Sequence, residues 1–108
     1  MRAVSIALVI AGALAGVMGC GGKHDPVLHT ITIARIAYQP ASLTIASGDT
    51  VRWVNHDIVP HTATAKDGHW DSPPLQPGAR WDTVIVTRGR EPYGCRFHPT
   101  MAGELEVR

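Results

Sequence analysis

Three observations on the 108-residue chain predict an all-β fold, a Greek-key β-sandwich of about seven strands. Beyond residue 27, apolar side chains recur at every second position in short runs, as in strands with one buried face. Clusters of Gly, Pro, Asp and Ser separate the runs. No stretch after residue 20 sustains the 3.6-residue period of an amphipathic helix.

The elements follow in order. HTITIARI (29–36) alternates, with Ile31 and Ile33 on one face and Thr30, Thr32 and Ala34 on the other. SLTIA (42–46) repeats the pattern through Leu43 and Ile45. Ser47-Gly48-Asp49 is a turn. TVRWVN (50–55) then places Val51, Trp53 and Asn55 on one face. HTATA (61–65) is a short strand, and DGHWDSPPLQPGA (67–79) a long loop. RWDTVIV (80–86) is a strand, RGREP (88–92) turns into the next, and GELEVR (103–108) is expected to form a final edge.

The first residues read differently. Arg2 precedes an uncharged, mostly apolar run over 3–19, shorter than the roughly 20 residues of a comfortable membrane span. It fits a secretory signal peptide over residues 1–19. Val17-Met18-Gly19-Cys20 resembles a bacterial lipobox, which implies lipid on Cys20, a flexible tether over 20–27 and a domain over 28–108. The expected location is the periplasm or cell envelope, with the membrane reached through that lipid. Arg2 is the only charged residue in 1–19, so the remainder carries 9 basic and 9 acidic residues. Such a balance excludes the basic footprint of a nucleic-acid binder.

About 80 ordered residues make a small core that calls for an extra constraint. A disulfide is not available: with Cys20 lipidated, Cys95 has no partner in its own domain. A lone thiol in an oxidising compartment is a liability unless buried or bound. Cys95 opens a donor-rich segment, YGCRFHPTM (93–101), in which Cys95, His98 and Met101 fall at three-residue steps. Thiolate, imidazole and thioether form a soft set suited to copper rather than magnesium or calcium. Zinc would accept Cys and His, but thioether is not among its usual ligands.

A second histidine would complete such a set, and five remain: His24, His29, His56, His61 and His69. His61 is the strongest candidate, because it follows Pro60 and opens a strand. The other four read as solvated surface residues.

From about Ile36 to Arg108 the chain resembles the cupredoxins, or blue copper proteins, within them the plastocyanin/amicyanin group. The resemblance rests on YQPASLTIASGDTVRWVNHD (38–57), NHDIVPHT (55–62), YGCRFHPTM and the loop at 67–81. The spacing Cys-x₂-His-x₂-Met is similar to that of amicyanin. It implies one copper ion held by His61, Cys95 and His98 with Met101 as a weak axial ligand. Asn55 would brace the site by tying the His61 loop to the Cys95 loop. The implied function is one-electron transfer between transient partner proteins by a monomer that is not an enzyme. A periplasmic copper carrier is the alternative use of the same ligands. Arg96 departs from the family, which commonly has Ser or Thr after the cysteine. With Arg88 and Arg90 it suggests steering of an acidic partner.

Overall fold

The computed structural model describes residues 24–108. The predicted signal peptide, Cys20 and the first part of the tether lie outside the described residues. Eight strands form: β1 (Leu28–Ala34), β2 (Ala37–Gln39), β3 (Ser42–Ile45), β4 (Asp49–Asn55), β5 (Thr64–Ala65), β6 (Arg80–Ile85), β7 (Gly89–Gly94) and β8 (Ala102–Val107). They make two four-stranded sheets, ordered β2-β1-β4-β6 and β3-β8-β7-β5. No helix among the described residues is long and apolar enough to cross a membrane.

The expected alternation becomes the core. Ile31 and Ile33 on β1 and Val51, Trp53 and Asn55 on β4 are fully buried. β1 and β4 pair in parallel, with Ile31 opposite Trp53 and Ile33 opposite Asn55. The second sheet contributes Ile45, Tyr93, Leu105 and Val107 to the same core. Trp53 sits at the centre of an aromatic cluster, its ring 5.1 Å from Trp70, 5.4 Å from Tyr93 and 5.8 Å from Trp81. Burying rings of this size against one another supplies much of the apolar area available to so small a domain.

Three expectations are corrected. The strand count is eight, because β2 forms a hairpin with β1 across Arg35 and Ile36. Both of these residues have positive φ, 54° and 56°, a conformation that β-branched residues rarely adopt. No Gly or Asn signalled the turn. The last strand is not an edge: β8 runs between β3, which it joins in parallel, and β7, which it joins antiparallel. The HTATA run yields only a two-residue strand, because His61 pairs instead with Leu75 of the long loop.

The stretch just before β1 is fastened to the domain. Asp49, 2% exposed, accepts hydrogen bonds from the Val27 and Ala46 amides. Nε2 of His24 and Nε2 of His29 each lie 2.8 Å from its carboxylate. Neither histidine is a simply solvated side chain.

Candidate metal centre

Two loops meet at one end of the sandwich. The first follows β4 and carries His61. Its backbone is set by the pairing with Leu75, whose amide donates to the His61 carbonyl at 2.7 Å and whose carbonyl accepts from the His61 amide at 3.1 Å. The second loop follows β7. Cys95 leaves the strand after Gly94, and the chain turns back at His98-Pro99-Thr100-Met101, where the Met101 amide donates to the His98 carbonyl at 2.9 Å. Proline at the second position of such a turn presets its φ. The turn explains the three-residue steps: it returns Met101 to the interior, 3% exposed, while His98 stays half-buried at the rim.

The donors converge. Nδ1 of His61 lies 3.8 Å and Nδ1 of His98 3.7 Å from Sγ of Cys95. One ligand atom from each of the three lies within 4.8 Å of the others. Bonds of about 2.3 Å to thiolate and about 2.0 Å to imidazole would separate sulfur and nitrogen by about 3.5 to 3.7 Å, so the observed separations leave room for one ion among the three donors. His61 is fully buried and Cys95 is 7% exposed, so an ion held here is shielded from water. Met101 lines the same groove as Cys95 and adds a thioether. Two imidazoles, a thiolate and a thioether make a donor set that fits one copper ion.

Electrostatics favour the thiolate. Burial pushes the Cys95 thiol up most. The His98 ring, the Thr62 amide, His61 and the Phe97 amide together outweigh it and bring the thiol down to about 6. The Thr62 and Phe97 amides each lie 3.4 Å from Sγ. A sulfur that receives these donors is a ready ligand before any metal arrives.

Two residues that sequence reasoning missed hold the ligands in place. Asp57 Oδ2 lies 2.9 Å from Nε2 of His61, so the ring presents Nδ1 to Cys95. Asp57 also accepts from the Ile36 and Ile58 amides, and those contacts with His61 lower its carboxyl to about 2. An acidic residue four positions before a ligand histidine was the available signal. Thr62 joins the loops, its amide reaching Cys95 Sγ and its hydroxyl accepting from the Arg96 amide at 2.9 Å.

Asn55 braces only the His61 side. Its Nδ2 donates to the carbonyls of Val59 and Leu75 at 2.9 and 2.8 Å, and its Oδ1 accepts from the Asp57 amide. It makes no hydrogen bond to the Cys95 loop, whose tie comes from Thr62. Arg96 is engaged as well, through Asp71 at 3.1 Å and the Ser72 carbonyl at 2.8 Å. Arg90 pairs with Glu104. Arg88 and Arg90 sit at the opposite end of β7 from Cys95, so the three arginines form no common patch. His56 is exposed, and His24, His29 and His69 lie with Asp49 or Asp67, away from the Cys95 donors.

The chain resembles known proteins in sequence and in fold. No family profile matches it. A purple cupredoxin from Nitrosopumilus maritimus is 33% identical, superposes with a TM-score of 0.69, and is matched over 99% of its length and 74% of this chain. The chain is a cupredoxin. A solved amicyanin variant in its oxidised state is 25% identical, with a TM-score of 0.70 over 74% of this chain and 81% of its own. Amicyanin of Paracoccus denitrificans is 26% identical over 82 residues, which span 71% of this cupredoxin and 63% of that protein. A Synechococcus plastocyanin is 57% identical over a 28-residue stretch.

Proposed function

We propose that this cupredoxin is a blue copper electron-transfer protein. His61, Cys95, His98 and the thioether of Met101 would hold one copper ion, with Asn55 and Asp57 as braces. The observation that carries the reading is the approach of both Nδ1 atoms to the Cys95 sulfur, at 3.8 and 3.7 Å. When bound, copper supplies a one-electron couple. The protein contributes a donor set that need not rearrange. Asp57 fixes one imidazole, two backbone amides fix the thiolate, and the turn at 98–101 fixes the remaining two donors. Electron transfer of this kind would need no bound substrate and make no covalent bond, so the chain would act as a carrier rather than an enzyme.

With copper bound, the half-buried ring of His98 would offer the electron a route to the surface. Ile58, 87% exposed, and Phe97, 46% exposed, stand on the two loops that meet there. They offer a small apolar surface to a transient partner protein. The burial of His61 and Cys95 favours electron exchange over the alternative of a copper carrier, which must pass its ion on by ligand exchange. The chain would act as a monomer in the periplasm or cell envelope. There residues 1–19 would serve as signal peptide, Cys20 as lipid attachment point, 20–27 as tether and 28–108 as the copper domain.

Titration with Cu(II) tests the reading. One equivalent should produce an intense visible thiolate-to-copper band that Cys95→Ser abolishes, and a one-electron reductant should bleach it reversibly. A colourless Cu(II) complex would overturn the assignment.

A further inference from the structure

Glu91 stands on the inner face of β7, the face it shares with Tyr93, and is only 5% exposed. A carboxylate so placed is costly unless something positive faces it. One hydrogen bond reaches it, from Nε1 of Trp70 to Oε1 at 3.1 Å. Among the described residues no Lys, Arg or His forms an ion pair with it, and Oε2, which has no protein partner, is not sealed in the core but faces the cavity beside it.

The loop after β5 brings two further donors to this carboxylate. The His69 amide donates to Asp67 Oδ1 at 3.0 Å, and the His69 ring lies 3.2 Å from Asp67 Oδ2. One ligand atom each from Asp67, His69 and Glu91 lies within 4.8 Å of the other two. A cavity of about 240 Å³, bordered by Ile85 and Val84, opens beside His69, Trp70 and Glu91.

We propose that Asp67, His69 and Glu91 form a second metal site, one that takes a borderline divalent cation of the zinc type. An imidazole with two carboxylates is a three-ligand set that zinc completes with water. The imidazole argues against magnesium and calcium, which prefer oxygen throughout. The cation would supply the positive charge that Glu91 lacks. The site shares no ligand with the His61–Cys95–His98 centre and does not depend on it. It would act on that centre indirectly. The loop it pins also carries Asp71 and Ser72, the residues that hold Arg96 in the ligand loop.

The test is calorimetric titration of the copper-loaded protein with Zn²⁺, with the visible copper band followed in parallel. The wild type should bind one Zn²⁺ per chain while the band stays unchanged. His69→Ala and Glu91→Gln, which leave the copper ligands intact, should each weaken binding at least tenfold. At a hundredfold excess over Kd, Zn²⁺ should raise Tm by about 10 °C in the wild type and not in the variants. Absence of a second bound ion in the wild type would overturn the proposal. So would binding that His69→Ala leaves unchanged, or heat that appears only as the copper band is lost.

Discussion

Asp57 grips the far nitrogen of His61, with Oδ2 lying 2.9 Å from Nε2, while Nδ1 of the same ring faces the Cys95 sulfur. The carboxylate therefore settles both the tautomer and the aim of one donor. Asp57→Ala should leave the fold in place and lower copper affinity by about tenfold to a hundredfold. Competition against a chelator of known affinity measures it. Unchanged affinity would mean that the Leu75 pairing alone positions the ring.

Gly103 lies opposite Tyr93 across the β7–β8 ladder, and a Cβ at that position would come within 2.3 Å of the tyrosine ring. Tyr93 is fully buried against Trp53 and Tyr38, so it cannot retreat. Gly103→Ala should cost about 1–3 kcal/mol in urea unfolding.

The hairpin between β1 and β2 places Arg35 and Ile36 at positive φ. Glycine adopts that conformation without steric cost. Ile36→Gly should stabilise the protein by about 1 kcal/mol, seen as a rise in Tm, because the strained side chain is 43% exposed and little packing is lost. A fall in Tm would show that the isoleucine makes compensating contacts.

Asp49 gives the fold a sensitivity to acid. Burial is the largest influence on its carboxyl and opposes ionisation. The Ala46 amide, His29, the Val27 amide and His24 together outweigh burial and hold the group well below the usual carboxylate range. An unfolded chain would ionise the same group near about 3.9. The contribution is therefore complete above that value and is lost as pH falls toward the lower folded one. Stability of the metal-free protein should climb between strongly acidic pH and about pH 5. Asp49→Asn should flatten that climb and lower stability at neutral pH, as urea unfolding across pH would record.

Arg96 is held by Asp71 and the Ser72 carbonyl on an exposed surface, where such pairs are worth at most about 1 kcal/mol. Arg96→Ala should change stability by no more than that. Asp71→Asn should unmask the guanidinium and steepen the salt dependence of reduction by an anionic reductant. Stopped-flow rates at two ionic strengths would decide whether the charge steers.

Much of this was legible from residue order. Period-two alternation placed Ile31, Ile33, Val51, Trp53 and Asn55 on inner faces, and the three-residue steps of Cys95, His98 and Met101 marked a donor loop. What escaped depends on tertiary partners. A three-residue strand such as β2 has too few positions to show a period, and its turn lacks the usual residues. Asn55 was expected to reach across to the Cys95 loop. Its side chain is instead occupied by Val59, Leu75 and Asp57, and Thr62 makes the crossing. His24 and His29 resemble surface histidines until Asp49 is seen beneath both.

The place of β8 bears on how the chain comes to fold. It is the last strand in chain order, yet it lies between β3 and β7 and supplies the parallel partner of one and the antiparallel partner of the other. The second sheet has no neighbouring pair of strands to build on until β8 arrives, apart from the two-residue contact of β5 with β7. Every candidate copper ligand thus precedes, in chain order, the strand that completes their scaffold. Pairing of β8 between β3 and β7 closes the second sheet, and with it the pocket around Cys95.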